Sequence, residues 1–143
     1  MSHITTVKTQ FNCVESMKLA LKKLGFEVVT SKFNLLTVKD YYGKLQPKKV
    51  CIRAWRKTPD GQLSGQSELG FSREADNTLS LIADNMDVDP AHCLEVKPWA
   101  KALKKVYSYE VTMAAIRRKG YVIASESVDA NKHIHVTVRR TYE

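Results

Sequence analysis

Two stretches of the chain share one pattern: a helix-like run that ends in cations, then a glycine, an aromatic residue and a strand-like run. They read LALKKLGFEVVT (residues 19–30) and AAIRRKGYVIAS (residues 114–125), and they superimpose at an offset of 95 residues. A helix that ends at a glycine and turns directly into a strand restricts how the chain can continue. The pattern predicts two related units, about residues 12–32 and 98–140, each made of a helix, a corner and a strand.

The corners of these units carry the strongest local signals. Gly25 and Gly120 suit the left-handed backbone position that ends many helices, and the aromatic residue after each glycine can pack back on its helix. The cations before the glycines stabilise the negative end of the helix dipole, by roughly 0.3 to 1 kcal/mol each. They are Lys22, Lys23, Arg117, Arg118 and Lys119. A helix-ending role is sufficient to explain them, and an additional binding role is the alternative.

Helical and strand-like periods alternate along the rest of the chain. Apolar spacing predicts a first helix from Val14 to Leu24 with Asn12 as its N-cap. A second helical pattern begins at Pro98 and continues to the glycine at 120, with a possible kink at the aromatic run VYSY (residues 106–109). The strand-like stretches are FEVVTSKF (26–33), LLTVKDYY (35–42), KKVCIRAW (48–55), SELGFSRE (67–74), NTLSLIADN (77–85), YVIASESV (121–128) and HIHVTVRR (133–140), with a turn at TPDG (58–61).

These elements predict an α+β fold. A chain of 143 residues, 43% of them hydrophobic, can bury one core but is short for two ordinary domains. We therefore expect a single domain over residues 1–143, an antiparallel sheet of about six strands with both helices packed on one face. The other face and the sheet edges are expected to be available for a homo-oligomer contact or a partner.

The charge is unevenly distributed. The chain carries 23 Lys or Arg against 15 Asp or Glu, a net charge of +8. Residues 1–57 hold 12 basic and 3 acidic side chains, residues 58–96 hold 1 and 8, and residues 97–143 hold 10 and 4. If the two ends lie together in the fold, the molecule has a face suited to a polyanion or an acidic partner. If the acidic middle instead folds back between them, much of the charge is compensated within the molecule.

The compartment is indicated by what the sequence lacks. It has no apolar run of about 18 residues and no apolar leader after its N-terminus, which predicts a cytoplasmic protein without a membrane contact. Cys13, Cys51 and Cys93 are odd in number and far apart. They are expected to be reduced and buried and to form neither a disulfide framework nor a zinc site.

Four stretches together resemble a known family. They are MSHITTVKTQF (1–11), LGFEVV (24–29), ELGFSREADNTLSLIAD (68–84) and YSYEVTMAAIRRKGYVIASESVDANKHIHVTVRR (107–140). The chain resembles the hypothetical chloroplast reading frame thirty-five family, small proteins of plastids, cyanobacteria and their phages whose biochemical function is not established. The resemblance implies a cyanobacterial or phage-infected cytoplasm, or a plastid stroma, as the compartment. It implies no catalytic residues.

Catalytic and metal-binding patterns are weak. His133 and His135 stand at i, i+2 on one strand, a spacing at which two imidazoles can share a metal, but solvent-facing strand histidines are the simpler interpretation. The possible further ligands are His3, His92 and Cys93. The acidic run at Asp84, Asp87 and Asp89 lacks the spacing and glycine of a calcium loop. Because no nucleophile motif and no phosphate-binding loop are present, we predict a protein that is not an enzyme and needs no metal or cofactor.

A basic helix face is the remaining candidate site. A helical projection places several lysines opposite the apolar face of the second helix, and arginines follow at its end and in the last strand. The candidate residues are Lys97, Lys101, Lys104, Lys105, Arg117, Arg118, Arg139 and Arg140. We predict a nonenzymatic binding module or adaptor that engages a protein partner. The alternative is sequence-nonspecific nucleic-acid binding through the same face, and a solvated helix face is the simplest explanation of the lysines.

Overall fold

The computed structural model describes residues 4–40, 44–56, 68–84, 96–131 and 133–140. In these residues the chain forms two helices and seven strands. The helices are α1 (Val14–Lys23) and α2 (Val96–Arg118). The strands are β1 (Ile4–Lys8), β2 (Phe26–Thr30), β3 (Ile52–Arg56), β4 (Leu69–Arg73), β5 (Leu79–Asp84), β6 (Tyr121–Val128) and β7 (Ile134–Arg140).

The strands are divided between two antiparallel sheets. Five form a sheet in the order β1-β5-β4-β3-β2, and β6 pairs with β7 in a separate hairpin. The predicted α+β class is confirmed, whereas the single sheet of about six strands is replaced by these two. Sequence patterning missed β1, which pairs with β5 along its whole length, from Ile4 opposite Asp84 to Lys8 opposite Ser80.

Both helices pack on one face of the five-stranded sheet, as predicted. From α1, Met17 and Leu21 are fully buried against Phe71 and its neighbours. From α2, Trp99 enters the same core, where its ring meets that of Phe26 edge-on at 5.6 Å between centroids. Burial of each large apolar side chain stabilises the fold by roughly 1.5 to 3 kcal/mol. Apolar side chains from both helices therefore contribute to the main core.

The opposite face of the sheet is partly covered, so it is less available than predicted. Leu69 and Phe71 point to the helices, and Gly70 between them lies on the other face. A Cβ at Gly70 would be 2.8 Å from a methyl carbon of Val38 and 2.8 Å from one of Val50. The stretch predicted as the strand LLTVKDYY supplies Val38, but its described part makes only isolated bridges, such as that between Leu36 and Val50. Residues 35–40, called the covering segment below, therefore pack directly on the backbone of β4.

A buried carboxylate holds the covering segment in place. Glu68 is almost fully buried, and its carboxylate lies 2.7 Å from the Arg53 guanidinium. The other carboxylate oxygen accepts the backbone N–H of Lys39 at 3.0 Å, and the Lys39 carbonyl accepts the N–H of Glu68 at 2.9 Å. Since both carboxylate oxygens of Glu68 have partners, its burial is compensated.

The start of α1 differs from the prediction. Cys13, not Asn12, is the N-cap residue, and it makes no side-chain capping bond. Instead, the hydroxyl of Tyr107 accepts the backbone N–H groups of Asn12 and Cys13, each at 3.1 Å. The aromatic run that contains Tyr107 was expected to be a possible kink in α2, yet the helix is continuous through it. A side chain from α2 thus satisfies backbone donors at the start of α1.

The glycine corners are confirmed. Gly25 has φ +92° and Gly120 has φ +78°, the left-handed region in which glycine carries no steric penalty. The strands that follow have different destinations, because β2 joins the five-stranded sheet and β6 joins the hairpin. The relatedness of the two units stays a prediction, and the predicted turn at 58–61 lies outside the described residues.

Candidate functional site

The β6–β7 hairpin has one apolar and one polar face. Tyr121 is opposite Arg140 and Val128 is opposite Ile134, with a register shift between Ile123 and Ser125. Because side chains alternate along a strand, Ile134, Val136 and Val138 share one face of β7, and the register places Val128 and Ile123 on that face beside them. The mainly apolar face comprises Tyr121, Ile123, Val128, Ile134, Val136 and Val138, with Glu126 among them opposite Val136.

The apolar face of the hairpin is turned toward α2. The corner at Gly120 reverses the chain, so the hairpin runs back along the helix that precedes it. The hydroxyl of Tyr109 donates a hydrogen bond to the Glu126 carboxylate at 2.8 Å, which joins α2 to β6. This bond to a carboxylate raises the pKa of Tyr109, since the phenolate would repel Glu126 and could not donate.

The same contact extends to α1. The Lys23 ammonium lies 4.4 Å from the centre of the Tyr109 ring and forms an ion pair with the buried carboxylate of Glu110. Cations over aromatic faces are stabilised by about 0.5 to 1 kcal/mol at exposed sites. Both helices and the hairpin therefore meet around Tyr109 and Glu110.

An open groove lies between α2 and the hairpin. It consists of two hollows with volumes of about 730 and 580 Å³ that share Lys105, Tyr109 and Ile134. At its open end, Val128 is 65% exposed and Ile134 is 40% exposed. The remaining lining residues are Lys23, Val106, Ser108, Thr112, Met113, Glu126, Ser127, Asn131, His133 and Val136.

The predicted basic residues divide into two groups. Lys101, Lys104 and Lys105 are exposed on the first half of α2, as predicted, and Lys105 lines both hollows of the groove. Arg117 lies twelve positions after Lys105 along the helix, or about 18 Å at 1.5 Å per residue. The structure therefore does not join these lysines and the arginines into one continuous stripe.

The arginines gather at the other end of α2. Arg117 and Arg118 are exposed in its last turn. Arg139 is exposed opposite Val122, near the base of the hairpin. The side chains of Lys97 and Arg140 lie outside the described part of the chain.

The histidines take part in the turn of the hairpin. His135 Nε2 lies 2.8 Å from Asp129 Oδ2, and His133 Nδ1 lies 3.7 Å from the same oxygen. The other Asp129 oxygen accepts the backbone N–H groups of Asn131 and His133, each at 2.9 Å. Hydrogen bonding, first of all with His135, lowers the pKa of Asp129.

No cluster of three or more His, Cys, Asp or Glu suited to a metal occurs within the described ranges. The further ligands considered from the sequence, His3, His92 and Cys93, lie outside these ranges, as do Asp87 and Asp89. Asp84 is buried at the end of β5. The two histidines are exposed, in line with the simpler interpretation of their spacing.

Sequence reasoning missed the groove and its two central residues, Tyr109 and Glu126. The sequence predicted both strands of the hairpin, but it placed them in the single sheet. Val128 carried a usable signal, because it ends the strand-like stretch YVIASESV directly before Asp129, Ala130 and Asn131, which leaves an apolar side chain beside a turn-like run. The assignment of both strands to the main sheet concealed this signal.

Comparison with known proteins places the chain in a family. A family model described as "Protein of unknown function (DUF1257)" matches residues 20–137. The chain belongs to the DUF1257 family. It is also 26% identical to "Uncharacterized protein ycf35" of Cyanophora paradoxa over 140 residues, 98% of each chain. The resemblance to the chloroplast reading frame thirty-five family is confirmed by this relative.

No solved structure matches the chain. Among the described residues of this DUF1257 protein, no helix is long and apolar enough to cross a membrane. The family description assigns no activity, so the function has to be inferred from the surface.

Proposed function

We propose that the protein is a nonenzymatic binding module or adaptor, and that it docks a partner protein on the hairpin and the adjoining side of α2. One observation carries this proposal: the hairpin exposes Val128 and Ile134 on the face turned toward α2. Within the described part of the chain, neither β6 nor β7 pairs with a third strand. A two-stranded hairpin on its own is at best marginally stable in water. This hairpin is supported by α2 through Tyr109 and Glu126, and a partner that covers its remaining exposed apolar area would stabilise it further.

The engagement of the titratable groups supports a binding role over catalysis. Glu126 accepts the Tyr109 hydroxyl, Glu110 pairs with Lys23, and Asp129 holds the hairpin turn. A catalytic acid or base needs to reach a substrate proton, whereas these carboxylates are occupied by internal partners. We place this role in the cytoplasm or plastid stroma that the family resemblance implies.

Affinity capture from the cell that produces the protein tests the proposal. The wild type is compared with Val128→Asp, which sets a charge in the apolar face at a 65% exposed position. Leu35→Asp is the matched control, because Leu35 is 69% exposed and lies in the segment that covers the other sheet face. We expect one stoichiometric protein that wild type and L35D retain and V128D loses. Recovery of no such protein at low and moderate salt, or equal retention by V128D, would contradict the proposal.

A variant in which Lys101, Lys104 and Lys105 are all changed to Glu distinguishes nucleic-acid binding from protein docking. The three side chains are exposed, so their change to Glu is expected to alter the free energy of unfolding by less than about 1 kcal/mol. Binding of duplex DNA through this face would show log K falling with log salt at a slope near −0.9 per neutralised phosphate, and the triple variant would lose it for all sequences. We expect no such binding at physiological salt.

A further inference from the structure

The lining of the groove specifies the chemistry of its occupant. We infer that the groove between α2 and the hairpin takes an acidic segment of the partner protein that carries apolar anchor residues. This inference rests on the proposed function and adds the site and the kind of sequence that fills it.

The walls of the groove supply an apolar contact. Val106 and the Tyr109 ring stand on the helix side, and Val128 and Ile134 stand on the hairpin side. Both hairpin residues keep a large exposed fraction although they face the helix, so the intramolecular contact leaves apolar area to cover. Hollows of about 730 and 580 Å³ are large enough for several side chains. A segment with two or more apolar anchors fits this shape.

The charge along α2 determines the sign of the occupant. Lys105 lines both hollows, and Lys101 stands one turn earlier on the same side of the helix. Within the described ranges, neither lysine, nor the adjacent Lys104, forms an ion pair. The groove acid Glu126 is bonded to Tyr109, and Lys23 is paired with Glu110. The unpaired lysines on the helix side therefore favour carboxylates at the edge of a bound segment, which also steer its approach.

Other occupants fit this lining less well. A second copy of the chain carries a net charge of +8, so long-range repulsion opposes its approach to the lysines, even though its residues 58–96 are locally acidic. A nucleic acid would leave Val128 and Ile134 without an apolar partner, since its phosphates need cations on a surface they can follow. An acidic, apolar segment uses both walls of the groove.

The test selects short random peptides, displayed as a library, against the full-length chain. We expect the enriched peptides to be rich in Asp or Glu together with Leu, Ile, Phe or Trp. Fluorescence anisotropy then compares binding of one enriched peptide by the wild type and by variants. Lys105→Glu is expected to weaken binding about fivefold, as for loss and reversal of an exposed ion pair. Val128→Asp is expected to weaken it further, because it places a charge in the apolar contact.

Matched controls separate the groove from general charge. Lys44→Glu makes the same charge change at an exposed loop position, and Leu35→Asp makes the same apolar-to-acid change elsewhere; both are expected to bind like the wild type. A peptide with Lys in place of its acids should prefer K105E to the wild type. Circular dichroism checks that each variant keeps the fold.

Three results would overturn the inference: enrichment without acidic residues, equal weakening by K44E and K105E, or no enrichment over an unrelated protein. Dimerisation through the groove, seen as a sedimentation change in the wild type that V128D abolishes, would also overturn it in favour of a second copy. Each of these outcomes leaves the proposed function standing if the cellular partner is still lost from V128D and retained by L35D.

Discussion

At the scale of single residues, Gly70 shows how closely the covering segment packs on the sheet. Methyl carbons of Val38 and Val50 stand 2.8 Å from the position of a Cβ at this residue, and the Ile52 carbonyl oxygen stands 3.0 Å from it. Gly70→Ala is expected to lower the free energy of unfolding by about 1 to 3 kcal/mol, because three neighbours must shift. Urea denaturation measures this change. Ser125→Ala, at an exposed position of β6, is the control; equal stability of G70A and the wild type would contradict the close packing.

Two cysteines differ in their environments. Burial raises the pKa of Cys13, but hydrogen bonds from Ser16 and from the backbone of Glu15 outweigh it and leave the pKa lowered. Cys51, the residue directly before β3, is buried in the main core, and burial raises its pKa. Since the thiolate is the nucleophile, we expect iodoacetamide to modify Cys13 well before Cys51 at neutral pH. Peptide mapping of a Cys93→Ser variant measures the two rates, and equal rates would show that the start of α1 does not activate Cys13.

At the scale of elements, the hairpin turn is expected to depend on pH through Asp129. Its folded pKa is lowered, chiefly by the hydrogen bond with His135, so the native turn favours the ionised form. This stabilisation is present above the usual pKa of 3.8 and is lost as the pH falls through the lowered folded value. We expect amide NMR signals of the turn to shift toward unfolded positions at acid pH before those of the five-stranded sheet.

The matched variant for this element is Asp129→Ala, which removes the acceptor of the Asn131 and His133 N–H groups. It is expected to show the loosened turn already at neutral pH. Ser127→Ala, exposed on β6, should leave the turn unchanged. If the turn of the wild type kept its signals at acid pH while D129A lost them, the ionisation of Asp129 would not be what holds the turn.

At the scale of the whole molecule, local signals predicted elements better than their arrangement. Gly25 and Gly120 ended both helices as expected, since a left-handed glycine acts within a few residues. The strand β1 was missed because its pairing with β5 joins chain segments more than 70 residues apart. Tyr107 and Tyr109 are two residues apart on one helix, yet one caps α1 from the core and the other lines the groove. Which surface each side chain meets depends on packing that no local pattern contains.

The basic residues illustrate the same limit. Exposure of Lys101, Lys104 and Lys105 followed from the helical period, and the structure agrees. Their relation to the hairpin did not follow, because the hairpin had been assigned to the main sheet. The groove at Lys105 results from the reversal at Gly120, which returns β6 along α2. The sequence therefore predicted the corner at Gly120 correctly, but it did not predict the groove that this corner creates between α2 and β6.

Hydrogen exchange followed by mass spectrometry, on the chain alone and with its captured partner, tests the central claim most directly. An interface on the hairpin and α2 should slow exchange in residues 121–140 and leave the core strands of the five-stranded sheet unchanged, because backbone amides of a two-stranded hairpin with exposed apolar area open more readily than those of a packed core until a partner covers them. The V128D variant should show no such slowing at the same partner concentration. Slowing confined to residues 31–40, or to the edge strands β1 and β2, would contradict the claim that the hairpin and α2 form the docking surface.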